Sequence, residues 1–219
     1  MVEGESGIAV TGTASNAGMR LRFTIVQEYV TGARVLANRA SELERSIQAG
    51  GPPAAEQVAE YRACAVGAVP QAAAAIEAEL SEVLMHGPQH DVVDNPENTA
   101  ARKFLEPLFD SIDKTPIVMN RWKLVLHLLK KPPMNTGVSP CQDACLLFKM
   151  RNELVHYKSE WDDAGNVLNH DKKRKFAVPA SIPGHTQFPL SVLGAALAQW
   201  GHKTAQDFLV EIKRLLASA

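Results

Sequence analysis

Cysteine is scarce in this chain, and a long uninterrupted apolar run is absent. The 219 residues include three cysteines, Cys64, Cys141 and Cys145, an odd number that cannot pair completely. Because the sequence also shows no secretory signal peptide, we expect a protein of the reducing cytoplasm. The most apolar stretch, 63–76, is shorter than the roughly 18 residues of a membrane-spanning helix and contains Pro70. We therefore expect no membrane span.

An excess of positive charge is absent too. Lysine and arginine number 23 against 24 aspartate and glutamate residues, which gives a formal net charge of −1. A protein that bound polyanions over its whole surface would be more basic, so contacts with nucleic acid can come only from a local patch. Apolar residues make up 46% of the chain, which is ample for a buried core and excludes general disorder.

Large apolar side chains are few at the start of the chain. Residues 1–17 are rich in glycine, alanine, serine and threonine, and they cannot bury enough apolar surface to hold one conformation. We expect a flexible N-terminal leader over 1–17 and a single helical domain over 18–219. The sequence leaves open whether 54–110 belong to the same bundle or form a separate lobe.

Beyond the leader, apolar residues recur every three to four positions, which is the spacing of amphipathic helices. No alternating pattern predicts a strand. Pro70 removes a backbone donor inside the second helical stretch, so we expect a kink or a split there. The predicted fold class is all-α, an up-and-down bundle of about six helices, with approximate bounds of 18–49, 54–85, 95–105, 117–129, 139–161 and 190–216.

The stretch 139–161 has the strongest helix signals. Ser139 is suited to the N-cap, Pro140 to the first helical position, and Gln142 completes a capping box. We expect this helix to continue to Trp161.

Apolar side chains form one stripe along this helix when each residue adds about 100°. The stripe contains Leu147, Met150, Leu154, Tyr157 and Trp161. His156 faces the opposite side together with Asn152, and Arg151 lies at the edge of the stripe. A core histidine would lie on the stripe, so His156 is either exposed or part of a site on a second surface. Phe148 and Val155, on the remaining flank, favour a second surface such as that of a partner subunit.

The pattern Arg151-Asn152-x-x-x-His156 on a helix of an all-α protein resembles the signature of the HEPN superfamily. The surrounding run SPCQDACLLFKMRNELVHYKSEW also resembles a group of uncharacterised bacterial proteins with an RN-x-LVHYK-x-EW signature. The resemblance covers 139–161 well, and the rest of the chain only through its helical pattern.

The resemblance implies a metal-independent endoribonuclease without a cofactor, in which two copies of the chain face one cleft. His156 would be the general acid or base, Arg151 would bind the scissile phosphate, and Asn152 would orient one of them. The expected products are a 2′,3′-cyclic phosphate and a 5′-hydroxyl. The resemblance leaves open a role as a toxin, a defence effector or a stress effector, and leaves open a regulatory protein partner.

A basic run in the long connector after this helix could contact the RNA backbone. Its residues are Lys172, Lys173, Arg174 and Lys175. A solvated loop is the simpler interpretation of four basic residues in a row.

Simpler interpretations exist for the motif as well. Arg151 can form an ion pair with a carboxylate of the second helix, for which the sequence offers Glu77, Glu79 and Glu82. The alternative function is then a non-catalytic interaction or nucleotide-sensing module of the same fold.

A metal site is not expected. Cys141 and Cys145 lie four residues apart, on the same side as His156, but a metal site would need two further ligands. Small, half-buried thiols are the simpler interpretation.

Overall fold

The structure is a computed structural model of the chain, and it describes residues 11–13, 20–22, 25–50, 52–92, 95–114, 117–156, 176–184 and 190–218. Two short strands open it, β1 (Thr11–Thr13) and β2 (Arg20–Arg22). The helices are α1 (Val26–Ala49), α2 (Ala55–His86), α3 (Pro96–Leu105), α4 (Phe109–Asp113), α5 (Val118–Leu128), α6 (Cys141–Val155) and α7 (Ala195–Ala217). A single 3₁₀ turn, Glu106–Leu108, joins α3 to α4.

The prediction of an all-α bundle is confirmed. Six of the described helices have ten residues or more, and they pack together around α2. No helix among the described residues is long and apolar enough to cross a membrane.

A small hairpin precedes the bundle, and the sequence did not predict it. β1 and β2 are antiparallel, with Thr11 opposite Arg22 and Thr13 opposite Arg20. Part of this pair lies in the segment expected to be a flexible leader, and 1–10 and 14–17 lie outside the described residues. Strands of three residues are too short to show an alternating pattern in the sequence.

The centre of the bundle is α2, which packs against both α1 and α7. Its buried positions are largely alanine, including Ala65, Ala68, Ala72 and Ala73, each with no exposed surface. Small side chains let the helix backbones approach closely, so a bundle with few aromatic residues still packs densely. Helix α2 also passes through Pro70 without interruption, so the predicted split does not occur.

A second layer of α5 and α6 covers the other side of α2. Trp122 of α5 is fully buried and meets Phe208 of α7 edge-to-face, with ring centroids 6.2 Å apart. Leu105 and Ile112 belong to the same buried cluster. The contacts of α6 with α2 and α7 position the end of α6 that carries the motif.

The segment between α6 and α7 packs onto the bundle where it is described. Phe176 and Ile182 are buried, and the Phe176 ring lies 5.1 Å from that of Trp200. The backbone N–H of Val178 donates to the carbonyl of Ser191 at 2.9 Å. Buried apolar side chains thus hold the described parts of this connector against the bundle.

Candidate functional site

The helix that carries the motif ends earlier than its pattern predicts. α6 ends at Val155, and His156 caps it with φ −107° and ψ 26°. The backbone N–H of His156 donates to the carbonyl oxygen of Asn152 at 2.9 Å and closes the last turn. The backbone of His156 thus leaves the helical conformation, and 157–161 of the predicted continuation to Trp161 lie outside the described residues.

The start of α6 also differs from the prediction. Pro140 is the N-cap, and no side chain caps the helix. The Ser139 hydroxyl donates to the Asp143 carboxylate at 2.7 Å. The N–H of Gln142 donates to the carbonyl of Val138 at 2.8 Å. The expected capping box is absent because its hydroxyl binds a carboxylate instead of accepting a backbone N–H.

The buried face of α6 agrees with the predicted stripe where the structure describes it. Leu147 and Met150 are buried, and Leu154 is half-buried. Tyr157 and Trp161 lie outside the described residues. The two flanking apolar residues differ from each other: Phe148 is buried, whereas Val155 is 56% exposed.

Arg151 reaches from the edge of this stripe towards α2. Its Nη2 donates to Oε1 of Glu77 at 2.5 Å, and its Nη1 donates to Oδ1 of Asn152 at 3.1 Å. The guanidinium carbon also lies 5.8 Å from the centre of the Phe148 ring, within the range of a cation–π contact. Of the three α2 carboxylates that the sequence offered as partners, Glu77 is the one that binds.

The ion pair between Arg151 and Glu77 is partly exposed to solvent. The two side chains retain 26% and 38% of their accessible surface, respectively. Water and salt screen such a pair, so it stabilises the fold by up to about 1 kcal/mol. An anion from solution can therefore compete with Glu77 for the guanidinium.

The structure brings two of the three predicted catalytic residues together. Asn152 and His156 are both exposed, and Asn152 is hydrogen-bonded to Arg151. Within the described part of the chain, the His156 ring forms no hydrogen bond with another side chain. His156 is thus exposed at the end of α6 without a side-chain hydrogen bond to the part of the chain that the structure describes. The four basic residues predicted to bind RNA lie outside the described residues, so that role stays a prediction.

The two cysteines of α6 are free thiols that pack in or beside the core. Burial raises the pKa of Cys141 to about 11. Burial also raises the pKa of Cys145, although the charges of Lys123 and Lys149 act in the opposite direction. Thiolate is the form that attacks and binds metals, so both thiols are poor candidates for either task. No group of three or more metal-ligating side chains converges among the described residues.

A partly buried charged cluster, which the sequence did not predict, joins α2, the loop after it and α7. The Nε2 of His90 lies 3.0 Å from Oε1 of Glu79, and its Nδ1 lies 3.1 Å from Oδ1 of Asp91. The Nζ of Lys213 lies 2.9 Å from Oδ2 of Asp91 and 4.0 Å from Oε1 of Glu79. The side chains of Glu79 and His90 are 2% and 4% exposed, whereas those of Asp91 and Lys213 are 59% and 47% exposed, so the cluster extends from the interior to the surface.

The charge of Lys213 persists in this setting. Burial lowers the pKa of Lys213, but the hydrogen bond to Asp91 and the charges of Glu79 and Asp91 outweigh it and raise that pKa overall. The cluster thus contains a permanent cation beside two carboxylates.

One sequence signal for this cluster was present. Glu79 lies four residues from both Ala75 and Val83, which are buried on the apolar face of α2. A carboxylate on an apolar helix face must find partners, because burying an unpaired charge is unfavourable. The partners themselves come from a loop and from α7, and one helix pattern cannot identify them.

No protein-family model, no curated protein and no solved structure matches the chain. The resemblance to the HEPN superfamily therefore rests on the motif of α6 alone.

Proposed function

We propose that the chain is a HEPN-type, metal-independent endoribonuclease that acts as a homodimer with one composite cleft. The observation that carries the proposal is that Arg151, near the end of α6, binds a carboxylate of the chain itself. Arg151 binds the Glu77 carboxylate at 2.5 Å and the exposed side chain of Asn152 at 3.1 Å, and the exposed His156 follows one turn later along the chain. A guanidinium binds carboxylates and phosphates with the same fork of donors, so an RNA phosphate oxygen can occupy this position.

The proposed reaction needs proton transfer and charge stabilisation. An unprotonated His156 ring takes the proton of a ribose 2′-hydroxyl, and the freed oxygen attacks the adjacent phosphorus. The bond from phosphorus to the 5′ oxygen breaks, and that oxygen takes a proton from the protonated ring of His156 of the partner subunit. The products are a 2′,3′-cyclic phosphate and a 5′-hydroxyl. Imidazole is suited to both steps because its ordinary pKa lies near neutrality.

Arg151 and Asn152 supply the electrostatic part. Negative charge builds up on the phosphate oxygens as the 2′ oxygen attacks, and a fixed guanidinium stabilises that charge more than it stabilises the ground state. Asn152 accepts a hydrogen bond from Nη1 of Arg151 at 3.1 Å, so it orients the guanidinium. We assign Arg151 to phosphate binding and Asn152 to positioning Arg151.

The direction of the side chains favours two copies. His156 follows Arg151 by five positions, which on a helix is about 140° of rotation and about 7.5 Å of rise. Arg151 points towards Glu77 of α2, whereas His156 is exposed at the end of the helix. A second copy placed against this end would supply the missing partner group to each site.

The same ion pair favours a second candidate function. If Arg151 serves only to bind Glu77, the chain is a non-catalytic interaction or nucleotide-sensing module. Arg151 would then connect α6 to α2, and His156 would be an ordinary exposed residue.

The two candidates differ in RNA cleavage. We would incubate the purified protein with single-stranded and structured RNA in EDTA, with the variants His156→Ala, Arg151→Ala and Asn152→Ala. Lys149→Ala is the matched control, because Lys149 is also an exposed residue of α6. The proposal expects cyclic phosphate ends, a loss of about 10²–10⁴-fold for His156→Ala, and full activity for Lys149→Ala. Intact RNA with the wild-type dimer, or equal cleavage by His156→Ala, rejects it.

As a toxin, defence or stress effector, such an enzyme would need control in the cell. A regulatory protein partner that covers the end of α6 would supply that control. Copurification from the native host, with and without the change Val155→Lys, would test for such a partner.

A further inference from the structure

A cavity of about 200 Å³ lies between the start of α1 and the second half of α7. Its apolar walls include Val26, Val30 and Leu209, and its polar groups include Gln206, Glu79 and Lys213. Small-molecule pockets in proteins start at roughly 300 Å³ for drug-sized ligands, so an occupant of this cavity must be small. The ribonuclease proposed above uses none of these residues.

Glu79 is the unusual group in this cavity. It is 1% exposed, and its Oε1 faces both His90 at 3.0 Å and Lys213 at 4.0 Å. No donor from the described residues reaches its other oxygen, Oε2. A buried carboxylate normally has its lone pairs satisfied, because the loss of its hydration is otherwise uncompensated. One oxygen of Glu79 is therefore available to a ligand in the cavity.

Lys213 does not neutralise Glu79 by itself. Its Nζ is closer to Asp91, at 2.9 Å, than to Glu79, at 4.0 Å. Asp91 also faces Nδ1 of His90 at 3.1 Å. Lys213 and His90 thus each lie between the two carboxylates. A ligand complementary to Oε2 of Glu79 carries N–H donors.

We propose that this cavity binds a small aliphatic primary amine, with its ammonium on Oε2 of Glu79. Its hydrocarbon chain packs against Val26, Val30 and Leu209, and Gln206 and Lys213 face any polar group at the far end. An ammonium has three donors and no acceptor, which is what an unsatisfied carboxylate oxygen requires. A metal ion fits less well, since no set of three metal ligands converges among the described residues.

Two sources share this chemistry: a simple monoamine and the zwitterion of an aliphatic amino acid. Isothermal titration calorimetry of the full chain without RNA compares 3-methylbutylamine, leucine and 3-methylbutan-1-ol. The amine should bind saturably, one molecule per chain, at least about tenfold more tightly than the uncharged alcohol. Binding of leucine as well would indicate that Lys213 and Gln206 accept its carboxylate.

Glu79→Gln removes the charge with little change in volume and should abolish saturable amine binding. Glu82→Gln, on the same helix, is the matched control and should bind like the wild type. If Glu79→Gln does not fold, Gln206→Trp replaces it in the titration. The tryptophan fills the cavity from an exposed position and leaves Glu79 unchanged, so this variant should not bind the amine. The proposal is overturned if the folded wild type shows no saturable amine binding, if the alcohol binds equally well, or if Gln206→Trp binds like the wild type. RNA cleavage is not involved, so a failure here leaves the ribonuclease proposal untouched.

Discussion

Two anions would compete for the guanidinium of Arg151: the Glu77 carboxylate and the proposed RNA phosphate. RNA can bind there only by displacing Glu77, and the exposed pair resists this by up to about 1 kcal/mol. Glu77→Gln keeps the shape and removes the competing charge. We expect RNA affinity to rise by up to about fivefold, in a background of His156→Ala that prevents cleavage, measured by fluorescence anisotropy.

The matched control for this exchange is Glu82→Gln. Glu82 belongs to the same helix, and its Oε2 lies 3.7 Å from Nε2 of His86. Its replacement also lowers the negative charge by one but leaves Arg151 paired with Glu77. Equal affinity gains in both variants would mean that net charge is responsible. Weaker RNA binding by Glu77→Gln would instead show that Glu77 positions Arg151.

His202 of α7 gives the fold a dependence on pH. It is buried, and its Nε2 has no hydrogen-bond partner among the described residues. Burial lowers the pKa of His202, and the charge of Arg34 lowers it further. The unfolded chain therefore takes up this proton at higher pH than the folded protein, so stability is lost as pH falls below about 6.5.

Replacement of His202 should remove that loss. For His202→Gln, we expect the free energy of unfolding in urea to fall less between pH 7.5 and pH 5 than in the wild type. His127→Gln is the control, because His127 is exposed on α5 and its replacement should leave the pH dependence unchanged. An identical pH dependence in the wild type and His202→Gln would show that His202 is not the responsible group.

The start of α7 depends on a close contact with α2. Gly194 is its N-cap, and a Cβ there would lie 2.2 Å from Oη of Tyr61 and 3.0 Å from Cγ2 of Val178. Tyr61 is fully buried, donates to Glu44 at 2.5 Å, and accepts from the N–H of Ala195 at 3.2 Å. Gly194→Ala should therefore lower the free energy of unfolding by about 1–3 kcal/mol, measured by urea denaturation.

A second glycine of α7 provides the matched comparison. A Cβ at Gly201 would meet its nearest neighbours at 3.6 Å and beyond, which is ordinary van der Waals contact. Since alanine is a better helix former, Gly201→Ala should raise stability by about 0.5–1 kcal/mol. Opposite signs at the two positions support the contact with Tyr61. A loss of similar size at both would indicate that α7 tolerates no added methyl group.

The existence of the helices was predictable, and their ends and partners were not. The apolar spacing of α6 identified the buried positions Leu147 and Met150. The end at His156 depends on backbone angles that this spacing does not encode. The ion pair of Arg151 was anticipated as one of three options, and only the packing of α6 on α2 selects Glu77.

The charged cluster around Glu79 could not be predicted from the apolar spacing of individual helices. Its groups come from α2, from the loop at His90 and Asp91, and from α7, more than 130 residues after Glu79 in the sequence. Local periodicity reports which face of a helix is buried, but not which distant side chain meets it. The hairpin of β1 and β2 was missed because three residues are too few for any period.

The charge of the whole molecule bears on the proposed function. With a net charge of −1, the chain offers RNA little long-range attraction. Contacts near one Arg151 can supply only weak binding. Two copies that present their α6 ends to the same RNA would combine two weak contacts, because the second becomes intramolecular once the first has formed. Dimerisation is thus expected to serve binding as well as catalysis.

Val155 offers a direct test of this dimer. It is apolar, 56% exposed, and directly precedes His156 at the end of α6. Val155→Lys places a charge in the proposed interface, so we expect light scattering to show a dimer for the wild type and a monomer for the variant. Cleavage should be lost together with the dimer, even though an added lysine would by itself strengthen the attraction to RNA.

Val35→Lys is the matched control, because it makes the same substitution at an equally exposed valine. Val35 is equally exposed, at 56%, but lies on α1 away from the motif. It should leave both the dimer and the cleavage intact. A monomeric wild type, or a Val155→Lys variant that still dimerises and cleaves, would contradict a composite site at the end of α6.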